Sequence, residues 1–401
     1  MALPVIVLLI TLMIPPLAEG RGPYHYRHTH YRVKEAVSKI PYRPKWVSVM
    51  KKGHLFQYGR REFSSPRVEG DLIFIGSDSQ SFYAIRKGSG RKVWRFRSHG
   101  SVNSTPSFSG GSVFFGDDEG YLYALDLKTG KKRWEQDLGS EILTPPAASS
   151  GALYVATVEG RVVSLNPEDG SLLWEVSHAL PDDLRMTIRG NSPPLLDDQG
   201  NLYVGFSDGL FWCLRAKTGK PVWQVTLGSR TLGSRTLGSM TLGSMTLPTS
   251  IGFRDIDGTP SIDKERIYLT TWEGPLVALS RKNGRVLWSY PAGSAVALIS
   301  NGDLLYLSDS NGSLHAIDKK EGKGLWQTKV GEGALTAPVV YRDRLAVGLS
   351  SSTMNFLNAT NGKLIARRFA RKGISSHPLL DGDRLYYFSN GGRLYSLKMV
   401  D

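Results

Sequence analysis

The chain has 401 residues with 44 Gly, 21 Pro and a single Cys, a hydrophobic fraction of 40% and a formal charge of +14. One cysteine excludes an intrachain disulfide and a thiolate metal cluster, while abundant Gly suits many short strands joined by tight turns. The charge is uneven, since residues 21–61 hold eleven Lys or Arg against Glu35 alone.

Leu3 to Leu17 is an apolar run interrupted by Pro4, Pro15 and Pro16 and followed by Ala18-Glu19-Gly20. It is too short and too broken for a good membrane-spanning helix, and its length suits a secretory signal over residues 1–20. An uncleaved anchor is the alternative, because no Lys or Arg precedes the apolar run. No Cys stands near the cleavage region, so this sequence offers no lipobox for a lipid anchor. Residues 21–45 form an Arg-, Tyr- and His-rich arm. His25, His28 and His30 lack the acidic or Cys partners of a metal site, so no metal is assigned. The arm is read as solvated and drawn by charge to anionic lipid or glycan surfaces of the envelope. Secretion removes nucleic acid as a partner.

From Trp46 onward a unit recurs. Tyr121 to Trp134, YLYALDLKTGKKRW, alternates through Tyr121, Tyr123 and Leu125, turns at Lys128-Thr129-Gly130, and enters a second strand. That pattern predicts a β-hairpin. Gly-x-x-x-Trp returns as Gly90/Trp94, Gly130/Trp134, Gly170/Trp174, Gly219/Trp223, Gly284/Trp288 and Gly322/Trp326. A period near 40 with four strands per unit predicts an all-β, eight-bladed β-propeller of four-stranded antiparallel blades over residues 46–401. The eighth copy, Pro378 to Leu397, stops short of its Trp strand, and Lys45 to Val49 supplies that piece. An N-terminal strand around Trp46 should therefore close the ring and hide both edges. Trp46, Trp94, Trp134, Trp174, Trp223, Trp288 and Trp326 are read as inter-blade wedges whose N–H groups find backbone acceptors. Ala366 stands where the seventh unit should carry Trp, which predicts one weaker seam. Cys213, in Leu210 to Leu214, is read as a buried strand thiol.

The spacing from Trp to the next Pro is 12 residues for Trp94, Trp134 and Trp326, but 20 after Trp174 and 37 after Trp223. Two neighbouring connections should therefore protrude, and loops on a rigid scaffold are where function concentrates. The longer one contains Leu-Gly-Ser-Arg-Thr twice and Leu-Gly-Ser-Met-Thr twice, a low-complexity insertion over 227–247 read as flexible chain. Asp117-Asp118-Glu119-Gly120 looks like a fragment of a calcium loop without its distal Glu, and is read as a polar turn. His99, His178, His315 and His377 fall in four units without shared spacing, and no hydrolase, nucleotide or zinc motif appears.

The unit Ala124 to Trp134 resembles the repeat of pyrroloquinoline-quinone (PQQ) enzymes and their non-catalytic relatives. The adjacent cysteines and large pocket loops of the quinone dehydrogenases have no counterpart here. Met186 to Pro194, MTIRGNSPP, is similar to the apolar-x-apolar-Arg-Gly-x-Ser-x-Pro stretch of the BamB family, scaffold subunits of the outer-membrane β-barrel assembly machine. Arg254 to Pro260, RDIDGTP, is similar to that family's Asp-apolar-Asp-x-Thr-Pro stretch in the next connection. The resemblance implies a non-enzymatic periplasmic protein at the outer membrane, without a cofactor, docking on the POTRA domains of a BamA-like subunit. Met186 and Ile188 would be its apolar contacts and Arg189 the charged one, with Asp255 or Asp257 holding Arg189 and coupling the two loops. Unfolded outer-membrane proteins are further partners by strand addition. The alternatives are a PQQ-dependent oxidoreductase and an envelope glycan- or lipid-binding propeller working through the arm.

Overall fold

The structure is a computed structural model that describes residues 40–50, 62–178, 191–227, 255–272, 274–294, 296–370 and 372–400. Its strands form eight four-stranded antiparallel sheets, the blades of a β-propeller. Blades 1 to 7 span residues 67–97, 107–137, 147–177, 195–226, 261–290, 299–329 and 339–369, each as a simple meander of strands a to d. Blade 8 takes strands a to c from Leu379–Asp381, Arg384–Ser389 and Arg393–Met399, and its outer strand from Tyr42–Val49 at the other end of the chain. Tyr42 pairs with Met399 and Val49 with Arg393, so the ring closes as the repeat count requires. The closing strand starts four residues before Trp46, and a bulge between Pro44 and Trp46 absorbs the extra residue.

Strands b and c are buried on both faces because each blade lies between two others. In Tyr121–Asp126, Leu122 and Ala124 are fully buried together with Tyr123 and Leu125, so the alternation seen in the sequence does not mark one wet face. Outer strands do alternate, as in Lys92–Arg97 and Leu172–Ser177.

Each Trp sits across a seam on the c–d turn of the next blade. A Cβ on Gly130 would lie 2.5 Å from Trp94 Cδ2, and Gly130 has φ +68°, so only glycine satisfies both the turn and the indole. The pairing repeats from Trp46 on Gly90 to Trp326 on Gly362. Indole N–H groups donate to turn carbonyls, for example Trp94 Nε1 to Leu127 O at 3.2 Å and Trp174 Nε1 to Ala216 O at 2.9 Å. Trp288 departs from this expectation: its Nε1 has no acceptor among the described residues. The carbonyl of Lys319, on the facing turn, accepts instead from Arg266 Nη1 at 3.1 Å and Tyr268 Oη at 3.4 Å.

Opposite each of the seven outer-strand Trp stands a small residue on strand c: Ala84, Ala124, Ser164, Cys213, Ala278, Ala316 and Ser396. Cys213 is thus the small partner of Trp223; it is 1% exposed, and burial pushes its thiol up to about 12. Blade 7 exchanges the sizes, with Phe356 opposite Ala366. The reason is closure. Blade 8 has no c–d turn, because its outer strand arrives from the other end of the chain, so a Trp in blade 7 would find no glycine seat. Tyr42 fills the place, stacking on Phe356 at 4.8 Å, while the Arg368 guanidinium lies over the rings of Tyr42 and Tyr395 and donates to Tyr387 Oη at 3.1 Å. The seam that Ala366 marked as weak is therefore filled by a different set of side chains.

Candidate docking face

The meander puts the a–b and c–d turns on one face of the ring and the b–c turns with the blade-to-blade connections on the other. The connections share one construction. In the link into blade 2, Val102 N donates to Ser77 O at 3.1 Å, and Asp118 N donates to Ser101 O at 3.1 Å. Two residues beyond Val102, the Ser104 hydroxyl accepts from Gly116 N at 2.8 Å. Val102 also covers Gly76, where a Cβ would meet its side chain at 2.4 Å. An aliphatic residue, any residue, Ser or Thr, any residue and Pro thus staple neighbouring blades. Ile142, Ile256 and Ile374 stand at the same place.

Each long connection ends in part of this staple, the first keeping Ser192 and Pro194 and the second Ile256 and Pro260, with Gly258 at the hydroxyl position. After residues 179–190, Asn191 Nδ2 donates to Thr157 O at 2.6 Å, and the Ser192 hydroxyl accepts from Gly205 N at 2.7 Å. After residues 228–254, Ile256 is fully buried over Gly205, its N–H donates to Phe206 O at 3.2 Å, and Asp255 O accepts from Trp272 N at 2.9 Å. Asn191 to Pro194 and Ile256 to Pro260 are therefore largely the repeat's own fastening. The residues the staple does not require are Met186, Ile188, Arg189 and Asp255.

Met186, Ile188 and Arg189 lie outside the described residues, as does most of the 227–247 repeat. Asp255 and Asp257 are 4% and 7% exposed. Both lie buried at the seam of blades 4 and 5, where Asp255 O accepts from Trp272 N. The acidic turn of blade 2 is accounted for internally: Asp117 accepts from the N–H groups of Gly100, Glu119 and Tyr121 and from Tyr123 Oη. The histidines stay apart. His178 meets Asp208 at 2.7 Å, while His315 lies between Asp309 and Tyr290 two seams away.

Sequence reading missed a third long connection. Seventeen residues, 50–66, separate the closing strand from blade 1, at the seam opposite that of blades 4 and 5. Its composition merges with the basic leader, which hid it. Here Glu62 occupies the staple's aliphatic position at 1% exposure, accepting from Ser77 Oγ at 3.1 Å and Asp78 N at 3.0 Å. Burial, with the Asp78 charge beside it, pushes the Glu62 carboxyl up to about 8.

The family described as "Outer membrane protein assembly factor BamB" matches residues 78–328 and 310–401. The chain belongs to this family. It is 28% identical over 215 residues to the outer membrane protein assembly factor BamB of Legionella pneumophila, covering 53% of this chain and 52% of that one. The chain spans about half the length of the curated relatives it matches. BamB from Moraxella catarrhalis superposes with a TM-score of 0.74 at 22% identity, over 89% of this chain and all of that one. Quinohemoprotein alcohol dehydrogenase from Comamonas testosteroni superposes at 0.69 with 14% identity, over 89% of this chain and 76% of the enzyme. Identities this low establish the shared propeller and nothing about chemistry.

Proposed function

We propose that this protein is a non-enzymatic scaffold of outer-membrane β-barrel assembly, working in the periplasm and docking on the POTRA domains of a BamA-like subunit. The observation that carries the reading is the placement of the two long connections. They arise at adjacent seams on one face, each fastened to buried blade ends, and they belong to a family whose relatives are named as assembly factors. Rigid fastening lowers the ordering cost of binding, and an apolar pair flanking a guanidinium makes a compact contact. Met186, Ile188 and Arg189 supply that contact, with Asp255 or Asp257 holding Arg189.

The outer strand of blade 3, which leads into the first loop, supports a second contact. Leu172 and Leu173 are 59% and 52% exposed on an edge without the Lys, Arg or Pro that guard the outer strands of blades 1, 2 and 4. An extended client strand would add there by main-chain pairing. Capture of a purified BamA-like subunit by wild type and by Arg189→Glu tests the docking assignment. Capture should fall at least tenfold with the blade fold intact, and unchanged capture would remove these loops from the interface.

A further inference from the structure

Among the described residues the turn face carries net positive charge, whereas the loop face is mixed, with its exposed carboxylates gathered at blades 2 and 3. On the loop face, Glu119, Asp137, Glu141 and Glu159 are exposed around blades 2 and 3, and the nearby cation Arg161 is taken up by Glu175 at 2.7 Å. The turn face is basic overall, though the turns of blade 3 carry Glu168 and Asp169 without Lys or Arg, and in blade 6 Lys319, Lys320 and Lys323 are balanced by Asp303, Asp318 and Glu321. Blade 5 brings the most cations to this face, Lys264, Arg266, Arg281, Lys282 and Arg285, against Asp263 and Glu265.

There the turn face is also concave. A cleft of about 710 Å³ at the seam of blades 4 and 5 is lined by Arg215, Lys264, Arg266 and Lys282, with Val222 and Leu287 on its outer wall. Its floor is built: Arg281, 8% exposed, is fixed by Asp197 at 2.8 Å and by Asp198. Arg266 is oriented by the carbonyls of Lys319 and Lys320, and Arg215 donates to Asn201 Oδ1 at 3.1 Å. Lys264 and Lys282 are exposed and form no ion pair among the described residues, and Glu265 is the one exposed carboxylate in the lining. Leu287, half exposed, gives the cleft an apolar lip beside the cations. The chain also enters the ring at this face, where Tyr42 pairs with Met399, and it brings Arg43 and Lys45 with it.

We infer that the turn face is a membrane-contacting surface that lies on an anionic phospholipid bilayer, with the cleft between blades 4 and 5 as its headgroup seat. Lysines on a flat face are attracted to anionic headgroups by charge, guanidinium groups bind phosphate through directed N–H bonds, and the Leu287 lip suits an amphiphile rather than a free anion. Contact through the turn face directs the opposite face, where the long connections arise, away from the bilayer, and the exposed carboxylates of blades 2 and 3 add repulsion there. This orientation extends the docking proposal without requiring it.

Co-sedimentation of the full chain with vesicles of phosphatidylglycerol and phosphatidylcholine, against phosphatidylcholine alone, tests the inference. Binding should need the anionic lipid and weaken as salt is raised. The triple variant Lys264→Glu, Lys282→Glu, Arg285→Glu should lower the partition coefficient on the order of 100-fold. Lys372→Glu with Arg393→Glu, on the loop face, should leave it within a few-fold of wild type. Replacing Arg21, Arg27, Arg32 and Lys34 by Gln separates the leader from the ring. Loss of binding on that replacement, with the triple variant unaffected, overturns the proposal. So does inorganic phosphate binding at these cleft residues without any vesicle partition, which would assign the cleft to a soluble anion.

Discussion

Phe356→Ala probes how the ring closes. Phe356 is fully buried, opposite Ala366 and stacked on Tyr42 at 4.8 Å. Truncating a buried Phe costs about 3–5 kcal/mol, of which the ring stack supplies ~0.5–1.5 kcal/mol. With unfolding entropy near ~2.1 cal/mol/K per residue, that lowers the melting temperature of a ring this size by about 5 °C. Ala366→Trp alone should cost ~1–3 kcal/mol by overpacking against Phe356. The double variant restores the size order of the other seven blades, yet the new indole meets Tyr42 where the others meet glycine. It should recover part of the loss and stay ~1–3 kcal/mol below wild type. Differential scanning calorimetry reads all three. A Phe356→Ala loss below about 1 kcal/mol, or a double variant at wild-type stability, would refute the claim that closure at blade 8 dictates the exchange.

Glu62→Gln should change how stability depends on pH. The carboxyl is raised from 4.5 to about 8, so the wild-type contribution is intact below pH 4.5 and is lost as pH rises toward 8. Gln should raise stability at pH 8 by on the order of 4 kcal/mol and leave it near wild type at pH 4, measured as melting temperature across the range. Equal shifts at both pH values would contradict the assignment. Ile256→Ala should cost ~2–4 kcal/mol in a denaturant titration, because Ile256 fastens blade 4 through Gly205. Cys213 should resist alkylation by iodoacetamide at pH 8 until the protein unfolds, and rapid native labelling would deny its place under Trp223.

Architecture was legible because the propeller writes its packing into local sequence. Gly130 and Trp134 stand four apart in one hairpin, yet each serves a different seam, so the same spacing recurs in blades 1 to 6, where the next blade offers a c–d turn with glycine. The departure at Ala366 was legible only as an absence. Its cause is topological, since the missing glycine seat follows from the last outer strand coming from the far end of the chain. The docking motifs were harder to read. Their Ser-x-Pro portion and the Ile and Pro of Ile256 to Pro260 belong to a staple used around the ring, which a comparison of Val102-Asn-Ser104-Thr-Pro106 with Ile374-Ser-Ser376-His-Pro378 could have shown. Burial of Asp255 and Asp257 had no sequence signal, because an acidic pair in a Gly-rich connection reads as solvent-exposed. The connection over 50–66 escaped notice because Lys51, Lys52, Arg60 and Arg61 continue the composition of the leader.

The proposed division of labour between the two faces is tested most directly by titrating purified tandem POTRA domains of a BamA-like subunit onto the full chain and measuring binding heat. Wild type and the turn-face variant Lys264→Glu with Lys282→Glu should bind alike, and Arg189→Glu should bind at least tenfold more weakly. Equal binding by all three, or a loss confined to the turn-face variant, would contradict docking through the connections after Trp174 and Trp223.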